Sequence, residues 1–367
     1  MRKLLIITSM YTGHGHKSIA EALSERLTAY EDMEVKIIDG FALMNRFEQY
    51  MAEYTYGPIT RIPGKAWEWN FKAGMTLRKP VTVVVAAMIK TRLLALLDSF
   101  QPDAILSVHP IFVGTILDVM KEAGKEIPLI AHEVDLVDIT QYWFDPRIHR
   151  VLAPSQESYD CTVANVDDPG RVVQVGFPVR SRFFNVPTPP PHSGIVVTVM
   201  SGSEGSGSIR SVVRELLKHT DAHVNVVCGR NRKLRKKLKK AFGEKYHGRL
   251  SAMGFINDIQ NVMAASDVLI LRASPNAAME AVVLNVPMIL FGRLAGQELH
   301  NPDVLVAHGV AKYCPDPEKL PDCFHALFAN DGAELEAMRR AQRNYVPGDS
   351  AADTAKLLNE MIRPAGK

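Results

Sequence analysis

Little in this sequence points to disulfides, nucleic acid or a membrane span. Only four cysteines occur in 367 residues, Cys161, Cys228, Cys314 and Cys323, and none forms a C-x-x-C pair. That spacing excludes a zinc ribbon or a thioredoxin-type motif and fits buried free thiols in a reducing compartment. The formal net charge of +3 is too small to argue for a nucleic-acid partner. No stretch approaches the ~20 apolar residues of a membrane-spanning helix. The uncharged candidate, Pro80 to Ile89, is half that length, so any membrane contact is expected to be peripheral. The apolar run at Leu4 to Ile7 ends at Thr8-Ser9, too early for a signal-peptide core, and reads as a first β-strand. No short-period repeat is visible.

What is present is a globular composition, 47% hydrophobic and 23% charged, in a chain long enough for two ordinary domains. Lys3 to Ser9 reads as a strand, Ser18 to Tyr30 as a helix with Ile19, Ala22, Leu23 and Leu27 on one face, and Glu34 to Asp39 as a second strand. Strand, helix, strand at this spacing predicts a βαβ unit and a parallel sheet. Further buried strands are expected at 104–108, 128–131, 150–153 and 172–175. Four prolines within Pro187-Thr188-Pro189-Pro190-Pro191 cannot continue a helix or sit in a central strand. The pattern restarts behind them, with strands at 195–200, 224–228, 268–271 and 287–291 and a helix at 209–218. The expected division is a domain over 1–185, a linker over 186–194, a second domain over 195–345, and a C-terminal helix in 346–367 packing back on the first domain. The fold class is α/β, two Rossmann-like domains facing each other across a cleft; open sheets of this kind bind ligands at the carboxyl ends of their strands.

Three groups of residues carry chemistry. Thr12-Gly13-His14-Gly15-His16 lies between the first strand and helix. Free backbone N–H groups there favour an anionic or electron-rich ligand, and a histidine with a pKa near neutrality is a candidate base; the bland alternative is a turn whose histidines bond the backbone. The loop departs from the dinucleotide fingerprint at Ser18 and lacks the glycine before lysine that a P-loop needs. Met200 to Ser208, again between strand and helix, has the small residues that let amides approach a phosphate. Glu280, and Gly296-Gln297-Glu298 with Asn301, fall at strand ends of the second domain, where a carboxylate can take a ribose diol and side-chain amides can read sugar hydroxyls.

In combination these residues resemble a family. Gly13-His14-Gly15-His16 with Ile19-Ala20 and Ala22-Leu23 is similar to the motif that opens the monogalactosyldiacylglycerol synthases and the processive diacylglycerol glucosyltransferases, relatives of glycosyltransferase family 28. Val175-Gly176-Phe177-Pro178-Val179-Arg180, the loop Met200 to Gly207, Val226-Val227-Cys228-Gly229-Arg230-Asn231, Met253-Gly254-Phe255-Ile256, Glu280-Ala281, Val286-Pro287 and Gly296-Gln297-Glu298 with Asn301 follow in the family's order. The resemblance runs from Lys3 to about Lys312 and implies the GT-B architecture. It implies an inverting enzyme that moves galactose or glucose from a UDP-sugar to diacylglycerol or a related lipid, with no cofactor beyond the donor itself. The acceptor base is then His16, with Asp135 orienting it or the acceptor, and Gly15 on the acceptor side. Donor contacts fall on Gly202, Ser203, Glu204, Gly205, Phe255, Ile256, Arg272, Ser274, Asn276, Glu280, Gln297 and Glu298. No D-x-D occurs, so helix and loop amides are expected to hold the diphosphate without a metal.

The family's K-P-G-G-x-T is replaced by Arg272-Ala273-Ser274-Pro275-Asn276-Ala277, and both loop glycines are gone. Val134-Asp135 replaces a Thr-Asp pair. A lipid acceptor needs a docking surface, and Trp67, Trp69, Arg78 and Lys79, with the apolar run to Ile89 and then Lys90 and Arg92, suit an interfacial element on an anionic leaflet. A second basic run, Arg230 to Lys240, reads as a solvated helix face unless something anionic uses it. The expected location is cytoplasmic, peripheral to the inner face of the membrane. Two other readings stand beside this one: a GT-B relative with another acceptor or a UDP-sugar epimerase, and a sugar or lipid sensor without turnover.

Overall fold

The computed structural model describes residues 1–10, 14–45, 78–201, 209–294 and 296–362, with His14 described by its backbone alone. Gly13, Trp67, Trp69, Gly202, Ser203, Glu204 and Gly205 therefore lie outside the described residues. The chain divides into two compact units, Met1–Arg180 with Ala295–Gln297 and Asp349–Lys367, and Ser181–Leu294 with Glu298–Gly348.

The first unit is a six-stranded parallel sheet in the order β2-β1-β3-β4-β5-β6. Its strands are β1 (Arg2–Thr8), β2 (Met33–Asp39), β3 (Ala104–Ser107), β4 (Leu129–His132), β5 (Arg150–Ala153) and β6 (Val172–Gln174). Leu4, Leu5, Ile6 and Ile7 are all fully buried, because helices cover both faces of a parallel sheet and leave no strand face for water. The helices are α1 (His14–Leu27), α2 (Arg78–Phe100), α3 (Pro110–Glu122) and α4 (Gln156–Val163). α1 begins four residues earlier than the periodicity predicts, so His14, Gly15 and His16 form its first turn rather than a free loop.

The segment read as a short interfacial run is one helix of 23 residues. By length and composition alone α2 could cross a membrane. It is instead built into the fold: Val85, Ile89, Leu93 and Leu97 are buried and the helix packs on α3, while Val83, Val84 and Met88 face outward. Periodicity at i, i+4, i+8 and i+12 accounts for that buried row.

The second unit repeats the design, with sheet order β12-β11-β10-β7-β8-β9. Its strands are β7 (Val196–Met200), β8 (His223–Val227), β9 (Leu250–Met253), β10 (Val268–Arg272), β11 (Met288–Gly292) and β12 (Lys312–Tyr313). The helices are α5 (Ile209–His219), α6 (Arg232–Phe242), α7 (Ile259–Ala264), α8 (Pro275–Val283), α9 (Asn301–Ala307) and α10 (Leu320–Tyr345), the last kinked at 329–332. The chain then re-enters the first unit as α11 (Ser350–Met361), which packs against α1. Asp349 secures that return: it accepts the guanidinium of Arg26 at 2.7 Å and caps α11 through the amides of Ala351 and Ala352.

Candidate functional site

Strand order reverses between β1 and β3 in the first unit, and between β7 and β10 in the second. At such a switch point adjacent crossover connections leave in opposite directions and open a crevice at the carboxyl edge of the sheet. Each unit carries its candidate residues at that edge.

In the first unit, His16 follows β1 and His109 follows β3. Their rings lie 4.4 Å apart, and Phe41 and Phe112 back His109 at 5.6 and 5.2 Å. The Nδ1 of His16 sits 2.7 Å from the carbonyl oxygen of Val108. A carbonyl only accepts, so Nδ1 carries the proton and Nε2 keeps its lone pair. Burial holds the His16 pKa down at about 4 despite that carbonyl, so the ring is neutral at neutral pH. Its surface is nonetheless only half-buried, which leaves an edge open to a reacting group. His109 has the opposite tautomer: its Nδ1 accepts the amide of Ile111 at 3.3 Å as the cap of α3. Burial, and then the neighbouring His16, push its pKa well below the ordinary 6.5.

Gly40 is required beside this cluster. A Cβ there would stand 2.3 Å from the ring of the fully buried Phe112. The Asp39 carboxylate fixes the approach by accepting the amide of Phe41 at 3.0 Å.

His132 ends β4, and Glu133 and Asp135 follow it, all three buried. Burial lowers the His132 pKa to about 4, and its Nδ1 donates to the carbonyl of Glu133 at 2.6 Å. Glu133 is driven the other way. Burial raises its pKa well above 4.5, Thr162 opposes the shift by donating to Oε1 at 2.6 Å, and the negative charge of Asp135 adds to it. The segment thus pairs a carboxyl that resists ionisation with a second carboxyl close by. Sequence reasoning placed His16 and Gly15 at this edge, named Asp135 by family resemblance, and did not single out His109, His132 and Glu133. The available signal was a histidine directly after each of two buried apolar strands.

In the second unit, Phe255 and Ile256 follow β9. Phe255 is 53% exposed and the Arg230 guanidinium lies 5.5 Å from its ring centre. Arg235 holds the same strand end by donating from Nε to the carbonyl of Ala252 at 3.1 Å. Behind β10, Arg272 meets Glu298 in a two-point ion pair: Nη2 donates to Oε1 at 3.0 Å and Nε stands 3.0 Å from Oε2. Glu298 also accepts the amide of Leu294 at 2.8 Å and is 5% exposed. The two were read as separate donor contacts; they bind each other and so tie the loop after β11 to the end of β10. Asn301, fully buried, adds a bond to the carbonyl of Ala273 at 2.9 Å. Gln297 remains half-buried in the turn that Gly296 opens at φ +90.

Ser274 and Pro275 start α8, with Asn276 in its first turn and the buried Glu280 on the same helix. Ser274 has φ −80 and ψ 136, ordinary extended backbone. The glycines that the family carries here are therefore not needed for conformation in this chain. The first amides of α8 have no partners within the helix and form its positive end. Among the described residues, no group of three His, Cys, Asp or Glu is placed to hold a metal ion. Arg78 and Lys79 begin α2, with Arg78 donating to the carbonyl of Gln141 at 2.5 Å.

Comparison with known proteins accords with this arrangement. Among solved structures, Acinetobacter baumannii MurG superposes with a TM-score of 0.64 at 14% identity, covering 98% of this chain and all of that one. Anabaena Alr3699/HepE in complex with UDP-glucose superposes at 0.59, with 13% identity over 98% of this chain and 99% of its own. Identities this low show a shared fold, the two-domain GT-B glycosyltransferase architecture. The chloroplastic monogalactosyldiacylglycerol synthase of Spinacia oleracea is 25% identical over 393 aligned positions, spanning 98% of this chain and 73% of the relative. The family model for monogalactosyldiacylglycerol synthases matches residues 16–179, and that for the glycosyltransferase family 28 C-terminal domain matches residues 196–356. With both halves so matched in order, the chain belongs to the monogalactosyldiacylglycerol synthase and family 28 group of glycosyltransferases, enzymes that transfer a sugar.

Proposed function

We propose that this enzyme moves a hexose from a UDP-sugar to the hydroxyl of diacylglycerol or a related membrane lipid, with inversion at the anomeric carbon. One observation carries the chemistry: His16 is neutral, its Nδ1 proton is committed to Val108, and its Nε2 lone pair stands at the switch point of the first sheet. Nε2 takes the proton of the acceptor hydroxyl. The oxygen bonds to the anomeric carbon, and the bond from that carbon to the UDP oxygen breaks with UDP leaving as the anion. His109 keeps the imidazole in place by ring packing, and Asp135 is assigned to orienting the base or the acceptor by sequence resemblance alone.

On the donor side, the free amides in the first turn of α8, that of Asn276 among them, suit the diphosphate, whose negative charge grows as it leaves. The Ser274 amide is taken by the carbonyl of Arg272 at 2.7 Å, which leaves its hydroxyl for the donor. Glu280 suits the ribose diol, Phe255 and Ile256 the uracil, and Gln297 the sugar. The loop with Gly202, Ser203, Glu204 and Gly205 is assigned to the phosphates by sequence resemblance alone. UDP-glucose in the HepE complex supports a UDP-sugar donor, and the names of the plant relatives support a diacylglycerol acceptor and galactose. An acceptor within the bilayer requires attachment from the cytoplasmic side. The outward Val83, Val84 and Met88 of α2, beside Arg78 and Lys79, support such contact.

His16→Ala tests this reading. Loss of a positioned base costs ~10²–10⁴-fold in turnover. UDP affinity is expected to stay unchanged, because the residues assigned to the uracil, ribose and diphosphate lie in the other unit. Turnover equal to the parent would remove His16 from the mechanism.

A further inference from the structure

The helix α6 carries the sequence Arg232-Lys233-Leu234-Arg235-Lys236-Lys237-Leu238-Lys239-Lys240-Ala241-Phe242: seven cations and no acid in eleven residues. At about 100° per residue, Leu234, Leu238, Ala241 and Phe242 share one side and the cations span the remaining arc of about 200°. The apolar side is spent on the protein's own interior. Leu238 is fully buried, Phe242 nearly so, and Leu234 and Ala241 pack beside them. Arg232, Lys233, Lys236, Lys237, Lys239 and Lys240 are exposed, and among the described residues none of the six has an ion-pair partner.

This arrangement opposes the stability of the helix. Each of the seven cations has another cation three or four residues away, where like charges repel. Three of them stand in the first turn, at the positive end of the helix dipole. A surface charged only for solubility would intersperse acids, as this chain does elsewhere: Lys90 with Glu122, Lys125 with Asp98 and Lys312 with Glu334. α6 is the exception, and its repulsion is relieved by an anionic partner.

We propose that the exposed face of α6 is an electrostatic docking surface for an anionic lipid bilayer. Several features choose a bilayer over a nucleic acid or an acidic protein. Five of the seven cations are lysines, point charges that suit a diffuse layer of head groups rather than the planar, two-pronged recognition of a base or phosphate by arginine. The exposed arc holds no aromatic ring on which a base could stack. It holds no apolar anchor for a protein groove, since every apolar residue of the helix faces inward. The inference rests on the reading above in one respect, that the acceptor is a membrane lipid. It adds that the donor-binding unit has its own contact with the surface, apart from α2. Because nothing apolar inserts, this contact is purely Coulombic and must weaken steeply with salt.

The test is co-sedimentation of the full-length protein with phosphatidylcholine vesicles, with and without phosphatidylglycerol, at low and high salt and without donor sugar. The variant is Lys233→Gln, Lys236→Gln, Lys237→Gln, Lys239→Gln and Lys240→Gln together. Glutamine is a good helix former, and Arg230 and Arg235, beside the Phe255 segment, are left intact. Each lysine contributes about fivefold to partitioning on an anionic surface, so the variant is expected to bind phosphatidylglycerol vesicles at least about a hundredfold more weakly. The matching five lysine-to-arginine variant is expected to bind like the parent. Turnover on detergent-dispersed diacylglycerol is expected to be equal in all three proteins. Unchanged vesicle binding by the glutamine variant would overturn the proposal. So would preference of the parent for RNA over vesicles in direct competition. A parent that binds vesicles through α6 yet glycosylates no lipid would leave this surface standing and overturn the proposed acceptor instead.

Discussion

Removing the Arg272 side chain as Arg272→Met is expected to expose how the sugar-side loop is held. The Glu298 carboxylate has 7% of its side-chain surface in contact with solvent and Arg272 has 23%, so the pair is shielded on both sides. In the variant, Glu298 keeps only the amide of Leu294 and becomes a nearly buried, unpaired charge. Breaking a buried pair from one side costs ~3–5 kcal/mol, and the partial exposure of Arg272 argues for the lower figure, ~3 kcal/mol. For a unit of this size that is a fall of ~6–12 °C in melting temperature. Adding Glu298→Gln removes the stranded charge and retains an oxygen for Leu294, so the double variant is expected to recover most of the loss. Thermal unfolding of the parent, both single variants and the double at neutral pH measures the coupling directly. Losses that simply add would show that the two side chains do not act as a pair, and the view of Glu298 as a clasp of its loop would fail.

Three further outcomes are expected. His132 is fully buried and titrates at about 4 instead of 6.5, so its contribution to stability is complete above pH 6.5 and is lost as pH falls toward 4. That one group accounts for ~2 kcal/mol by pH 5, and His16 and His109 act in the same direction. Glu133, raised by burial, contributes in the opposite sense: its stabilisation is full below its ordinary pKa of 4.5 and is lost as pH rises from there through the raised value, so between pH 7 and pH 5 it offsets part of the histidine loss. Urea midpoints at pH 7 and pH 5 of the Glu133→Gln variant, which removes the opposing carboxyl, measure this, and a flat profile in that variant would contradict the buried neutral histidines. Gly40→Ala sets a methyl 2.3 Å from the Phe112 ring, and overpacking of ~1–3 kcal/mol is expected in a thermal melt. An unchanged melt would mean that Phe112 moves aside freely. Loss of turnover with UDP affinity intact is expected for His16→Ala, as described above.

Most of the sheet was legible in the sequence because both sheets are parallel and doubly covered. Fully buried strands such as 4–7 and 268–271 are continuous apolar runs between turn signals. β9 and β12 were not legible. Both are edge strands, one half-buried with a single buried residue and the other two residues long, and neither has a periodicity to read. The length of α2 was missed because Lys90 and Arg92 interrupt the apolar run in sequence but lie off its buried row, so the helix continues through them. His16, Glu280 and the 296–298 turn could be placed at strand ends because that position follows from the βα alternation, whereas Asp135 was picked out by family resemblance alone. The pairing of Arg272 with Glu298 was not, since the two are 26 residues apart and meet only through the register of β10 with β11. The tautomers of His16 and His109 likewise depend on which backbone group each ring meets in three dimensions.

The proposed activity is glycosylation of a lipid by a UDP-sugar. The most direct measurement is mass spectrometry of the lipid recovered after incubating the purified protein with diacylglycerol vesicles and, separately, UDP-galactose, UDP-glucose and their N-acetyl forms. A monohexosyl diacylglycerol with equimolar UDP is expected from one of the two plain hexose donors, UDP-galactose being the first to try. UDP binding without any glycosylated lipid from all four donors would contradict it.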